Sequence, residues 1–184
     1  MASLIKSKQR VSNHGEVFTP SRIVSEMCEL FSKDDWGDPS SIFLEPTCGD
    51  GNFVVAIILK KIESGLSLFN AINTTFGMDI MSDNILECRL RIYHICKELE
   101  SDQQKLNRLA NVIVNNFFVV SDSLEFIQSG KFSEYKFYDY DPTTKDNVGT
   151  GLNKFFKKNN APQIKNRKEQ EKIETKAKEF LKKV

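Results

Sequence analysis

Apolar residues along this chain fall at helical spacing in some stretches and in short solid runs in others. Ile23, Met27, Leu30 and Phe31 share one helical face, which predicts a helix packed on a core. Thr19-Pro20 supplies its start, with Thr as N-cap and Pro at the first helical position. Asp34 to Ser41, with Trp36, Gly37 and Pro39, reads as a turn region, and Ile42–Leu44 as a first buried strand. The run Val54-Val55-Ala56-Ile57-Ile58-Leu59 lies inside a predicted helix from Asn52 to Ser64, which Gly65 stops. Thr75-Phe76-Gly77-Met78-Asp79-Ile80 is a second strand ending in a carboxylate. Ser82 caps a helix running to about Leu99, with Ile85, Cys88, Ile92, Ile95, Cys96 and Leu99 as its buried stripe. A polar helical segment follows to about Asn111. Phe117-Phe118-Val119-Val120 is a third strand, and Phe132 to Tyr140 supplies a fourth. Strands alternating with helices of this length predict an α/β fold with right-handed crossovers and a parallel sheet.

After Thr143 the pattern changes. Gly149, Gly151, Asn159, Asn160 and Pro162 interrupt a lysine-rich stretch, and Gln163 to Val184 is charged. Ile173, Ala177, Phe180 and Val184 keep helical spacing there, so the segment reads as a solvated helix or an arm. Net charge sharpens this division. The chain totals +1, yet residues 153–184 hold 11 Lys or Arg against 4 Asp or Glu. A mildly acidic body therefore carries a basic tail.

The remaining composition narrows the class. With 184 residues the chain suits one domain. Hydrophobic residues at 40% and charged residues at 28%, with 14 Phe, favour a soluble, packed globule over disorder. No apolar run reaches the length of a membrane span, and the first residues lack a secretory h-region. Cys28, Cys48, Cys88 and Cys96 have no CxxC spacing and form no metal-ligand pattern, so they read as reduced thiols of a cytoplasmic protein. His14 and His94 are far apart and offer neither a catalytic base nor a metal site.

The chemistry concentrates in Ile42-Phe43-Leu44-Glu45-Pro46-Thr47-Cys48-Gly49-Asp50-Gly51-Asn52-Phe53. This reads as a strand ending in a carboxylate, a tight glycine turn and a helix start. Glycines there let a ligand approach backbone that a Cβ would shield. The helix N-terminus offers free N–H groups to an anion, and Glu45 suits a cationic or hydroxyl-bearing group. A ligand needing both is amphoteric, and S-adenosylmethionine is such a ligand. Glu45, Asp79 and Asp122 each follow one of three successive strands. In an open parallel sheet, ligands bind at the carboxyl ends of the strands. Any one of these acids reads equally well as a turn former or helix cap; three in register read as the lining of one crevice.

With these residues in place, the chain resembles the gamma-type amino-methyltransferases of DNA, which modify adenine at N6. His14-Gly15-Glu16-Val17-Phe18-Thr19-Pro20 is similar to their N-terminal cofactor motif, and Glu45 to Phe53 to their glycine turn. Gly77-Met78-Asp79-Ile80 and Ser121-Asp122-Ser123-Leu124 are similar to their second- and third-strand motifs, in the same order. The resemblance spans about Gly15 to Phe126. It implies a Rossmann-like S-adenosylmethionine-dependent methyltransferase fold with a truncated parallel sheet. A flexible segment (1–18), a cofactor-binding domain (19–142) and a basic tail (143–184) would divide the chain. The resemblance also implies roles. Thr19 and Pro20 would contact the cofactor near its methionine end, beside Pro46. Glu45 would hold its amino group, and Gly49 and Gly51 would let backbone close on the methionine part. Asp79 would accept from both ribose hydroxyls, with Ile80 packed on the adenine. Asp122 would accept from the adenine amine, with Leu124 as an apolar wall. For Phe53, Ile80 and Leu124, plain core packing is the competing reading.

The family's catalytic motif, Asn/Asp/Ser-Pro-Pro-aromatic, binds the target amine and stacks on a flipped base. Its counterpart here is Asp141-Pro142, followed by Thr143-Thr144 in place of the second proline and the aromatic. A polar turn is the competing reading of that segment. Residues 154–183 of the tail would supply phosphate contacts to DNA, with strong salt dependence; a solvated surface helix competes. Two functions follow as expectations. One is an adenine-N6 DNA methyltransferase, with a partner subunit for specificity or catalysis. The other is a non-catalytic S-adenosylmethionine-binding module or regulatory subunit of a modification system. Transfer to RNA or protein stays open, because the cofactor half is silent about the acceptor.

Overall fold

The computed structural model describes residues 4–130, 136–138, 148–150 and 175. Three short strands make a parallel sheet in the order β1 (Phe43–Glu45), β2 (Thr75–Asp79), β3 (Phe117–Val119). Glu45 lies opposite Gly77 and Asp79 opposite Val119, so the strand ends are in register. β2 is central and buried along its whole length. Its Gly77 is required by close approach: a Cβ there would lie 2.9 Å from the Phe117 ring and 3.1 Å from the Cys48 sulfur.

Two helices link each strand to the next. Helices α4 (Asn52–Glu63) and α5 (Leu68–Asn73) lead from β1 to β2; α6 (Ser82–Leu99) and α7 (Gln103–Asn116) lead from β2 to β3. The apolar run of α4 explains its place. Val54, Val55, Ile58, Leu59 and Ile62 enter the main core with α5, α6 and α7. Ala56 and Ile57 face a second cluster with Val24, Cys28 and Trp36. A helix apolar all round is buried all round.

The predicted stripe of α6 is buried at Ile85, Cys88, Ile92, Ile95 and Cys96, and Leu99 packs at its margin. The segment after it is a longer amphipathic helix than expected, reaching Asn116 with Leu106, Leu109, Val112 and Ile113 inside. Gly65 does follow α4 in the left-handed region, at φ 99°. Two polar side chains also lie inside. Lys61, fully buried, donates to Ser41 O (2.8 Å), Thr74 O (3.1 Å) and Thr74 Oγ1, with Phe43 under its ammonium. It ties the starts of β1 and β2 together. Asn116 donates to the carbonyls of Ile72, Asn73 and Thr75, tying α7 to α5 and β2.

Other expectations change as well. Helix α2 (Ser21–Cys28) begins one residue later, with Pro20 at the cap and no side-chain bond from Thr19. It buries Val24 and Cys28, whereas Met27, Leu30 and Phe31 are exposed. The helix ends before Leu30, and the neighbouring face is the one that meets α4. The supposed turn region contains a short helix, α3 (Lys33–Gly37), held by a Ser32–Asp35 capping box; Trp36 stacks on Phe43.

The polar lead-in is structured from residue 4: Ser7 caps α1 (Lys8–His14), and Phe18 N–H donates to Leu4 O at 2.8 Å. Finally, β4 (Lys136–Tyr138) does not extend the parallel sheet. It pairs antiparallel with β5 (Val148–Thr150) as a separate two-stranded sheet. Asp141 and Pro142, between these strands in sequence, lie outside the described residues, and so do the tail lysines after β5. Among the described residues, no helix is long and apolar enough to cross a membrane.

Candidate functional site

The glycine turn after β1 is strapped to the end of β2. Cys48 N–H donates to Met78 O at 2.9 Å, and Gly49 N–H donates to Asp79 Oδ2 at 2.9 Å. Gly49 (φ 53°) and Gly51 (φ 94°) both occupy the left-handed region. They are hemmed in on two sides. A Cβ on Gly49 would come within 3.2 Å of the Phe18 ring, and one on Gly51 within 2.7 Å of Cys88 Sγ. From α6, Arg91 braces the turn through Asp50 O and Asn52 Oδ1, both at 2.9 Å, with the Asp50 carboxylate 3.3 Å away. Part of the glycine signature is therefore explained by packing.

Helix α4 starts at Gly51 with no side-chain cap and no acid in its first turn. Its first N–H groups keep the polarity that suits a ligand carboxylate. Asn52 Nδ2 donates to Thr19 O at 3.1 Å. With Phe18 on Gly49, this brings the Phe18-Thr19 segment onto the glycine turn. Pro20 beside it is exposed.

The three acids differ in what they already hold. Glu45, half-buried, accepts from Thr47 N–H and Thr47 Oγ1 at 3.2 Å, both through Oε1. Asp79 is buried and heavily used. Oδ1 accepts from Met81 N–H (2.8 Å) and Asn84 Nδ2 (3.3 Å), and Oδ2 accepts from Gly49. A carboxylate has about four acceptor positions, so one remains here. Asp122 is exposed and caps α8 (Ser123–Gln128), accepting from Glu125 N–H at 2.9 Å. For Asp122 the helix-cap reading is thus realised. Its neighbour Ser123 donates to Pro46 O, which joins the end of β3 to the glycine turn.

The apolar candidates separate cleanly. Phe53 packs on the second core cluster. Ile80 and Leu124 are 49% and 67% exposed, so core packing does not account for either. Cys48 is a buried free thiol, pushed up by a hydrogen bond with the Cys88 thiol and by burial. A thiol so held is no nucleophile.

Sequence reasoning missed a polar network at the start of α6. Glu16 Oε2 accepts from Arg10 Nε (2.9 Å), Arg10 Nη2 and Asn84 Nδ2 (3.0 Å). Arg10 also reaches Asp83, and Lys6 reaches Asp83 (3.0 Å), Glu87 (3.0 Å) and Asn84 Oδ1 (2.8 Å). Asp83 holds the Arg10 guanidinium above its usual range, and Arg10 in turn lowers the Asp83 carboxyl. The Glu16 side chain is 9% exposed, and its Oε1 is buried with no partner among the described residues. Leaving a buried acceptor unpaired costs about 1–3 kcal/mol. Glu16 lies inside the Gly-x-Val-Phe-Thr-Pro segment, and Asn84 in the first turn of α6, five residues after Asp79. That spacing was the available signal. Comparison with family models, with curated proteins and with solved structures finds no match.

Proposed function

We propose that this chain binds S-adenosylmethionine at the carboxyl end of its sheet, in a Rossmann-like methyltransferase fold, and serves methylation of adenine N6 in DNA. One observation carries the cofactor reading. The glycine turn, the end of β2 and the Phe18-Thr19 segment meet at one place, joined through Gly49 to Asp79 and through Asn52 to Thr19. The residues suit an amphoteric nucleoside. The uncapped start of α4 fits a carboxylate, and Glu45 Oε2, to which no described residue donates, fits an ammonium. The remaining acceptor position of Asp79 fits a ribose hydroxyl. Ile80 and Leu124 offer exposed apolar surface for a purine. Bound there, S-adenosylmethionine would supply an electrophilic sulfonium methyl; the chain's own part is to bind and orient it.

The acceptor half rests on sequence alone, on Asp141, Pro142 and the basic residues of 154–183. Thr143 and Thr144 stand where the resemblance asks for a proline and an aromatic. That favours a second reading: a module that binds the cofactor without transferring its methyl, acting beside a catalytic or specificity subunit. Calorimetric titration with S-adenosylhomocysteine tests what the two readings share; absence of binding by the full chain sinks both. Incubation with tritiated S-adenosylmethionine and unmethylated DNA separates them. Label transfer lost on Asp141→Ala supports the enzyme, and binding without transfer supports the module.

A further inference from the structure

We infer that Glu16 is a second ligand-binding carboxylate of this site, accepting a ribose hydroxyl that Asp79 has no room to take. The inference rests on the nucleoside-binding proposal above and adds a residue to it. A ribose presents two adjacent hydroxyls, each with one proton to donate. Three donors of the chain already occupy Asp79, through Gly49, Met81 and Asn84. One acceptor position is left for two hydroxyls.

Glu16 supplies the missing acceptor. All the donors that reach its carboxylate converge on Oε2, from Arg10 and Asn84. Oε1 is left buried and without a partner among the described residues. The carboxylates of Glu16 and Asp79 flank the same nitrogen, Asn84 Nδ2, at 3.0 and 3.3 Å. Lys6 fixes the orientation of that amide by donating to Asn84 Oδ1 at 2.8 Å. Two acids side by side suit hydroxyl donors, and Arg10 pairs directly with the Glu16 carboxylate.

The test is calorimetry on the full chain and its Glu16→Gln variant, with S-adenosylhomocysteine and its 2′-deoxy and 3′-deoxy analogues. In Glu16→Gln the carbonyl keeps the Arg10 and Asn84 donors, and an N–H replaces the free acceptor. The variant is expected to hold its thermal midpoint and to bind S-adenosylhomocysteine at least about 10-fold more weakly, the loss of one bond to a charged acceptor. One deoxy analogue is expected to bind both proteins equally, because it lacks the hydroxyl that Glu16 accepts. Equal binding of S-adenosylhomocysteine by both proteins, or equal weakening for all three ligands, overturns the role of Glu16 alone. No binding by the unmodified chain overturns the nucleoside reading with it. Should Glu16→Gln fail to fold, the unmodified chain still decides. Loss of affinity with both deoxy analogues supports two acceptors, and loss with only one overturns the inference.

Discussion

At the scale of single residues, the glycines separate two requirements that look alike in sequence. Gly51 and Gly65 both have φ in the left-handed region, at 94° and 99°. Around Gly65 there is open space, whereas a Cβ on Gly51 would meet Cys88 Sγ at 2.7 Å. Gly65→Ala is therefore expected to cost about 1–2 kcal/mol of backbone strain. Gly51→Ala is expected to cost about 1–3 kcal/mol more through overpacking. Urea unfolding of the two variants measures the difference, and equal losses would refute the packing account. Lys61 gives a second prediction. Burial pushes its ammonium down, to about 7, against an upward pull from Asp38. An unfolded lysine titrates near ~10.4. Between those values the unfolded chain binds more protons, so this residue makes stability rise with pH from about 7 to about 10. Below about 7 both states are protonated and its contribution to the slope vanishes. Urea midpoints at pH 7, 8 and 9 are expected to climb less steeply in Lys61→Met than in the unmodified chain. Parallel slopes would refute the assignment.

At the scale of elements, ion pairs fasten the N-terminal strap to α6, while buried Phe18 seats its end on the glycine turn. Residues of α1 bury nothing, yet Lys6 and Arg10 reach Asp83, Asn84 and Glu87 on α6. Arg10→Ala is expected to speed hydrogen exchange across residues 4–18 and leave α4 to α7 unchanged. High salt is expected to weaken the exposed Lys6 and Asp83 contacts first. Unchanged exchange in the strap would show that Phe18 and the Leu4–Phe18 bond hold it alone. The strap also marks where sequence reading stopped. Its acidic partners lie more than 70 positions away, so Lys6, Arg10 and Glu16 read locally as a solvated run. The three parallel strands, α4 and α6 were legible, because solid apolar runs and helical steps of three and four report burial directly. The face of α2 was not. Val24 and Cys28 compete with Met27, Leu30 and Phe31 for the core, and only the position of α4 chooses between them. Lys61 and Asn116 were illegible for the same reason: burial of a polar group depends on acceptors that tertiary packing supplies.

At the scale of the whole molecule, both core clusters found among the described residues lie within 4–130. A chain ending after Gly130 is therefore expected to unfold cooperatively and to keep the affinity of the full chain for S-adenosylhomocysteine. It is expected to lose any methyl transfer, since Asp141 is gone. A molten truncation, or one with no affinity, would show that the later residues complete the site. The meeting of the glycine turn, the end of β2 and the Phe18-Thr19 segment was legible because each is a contiguous run in the sequence. Not legible was what a carboxylate already holds, as at Asp79 and Asp122, since internal donors cannot be counted before the chain is folded. The bond from Gly49 N–H to Asp79 has one more consequence. It is charge-assisted and sits in the turn itself, so the Gly49 proton is a built-in spectroscopic probe. Its resonance is expected well downfield in a nitrogen–proton correlation spectrum. Any ligand that draws on Asp79 would shift that single peak, reporting occupancy without a label or an activity assay.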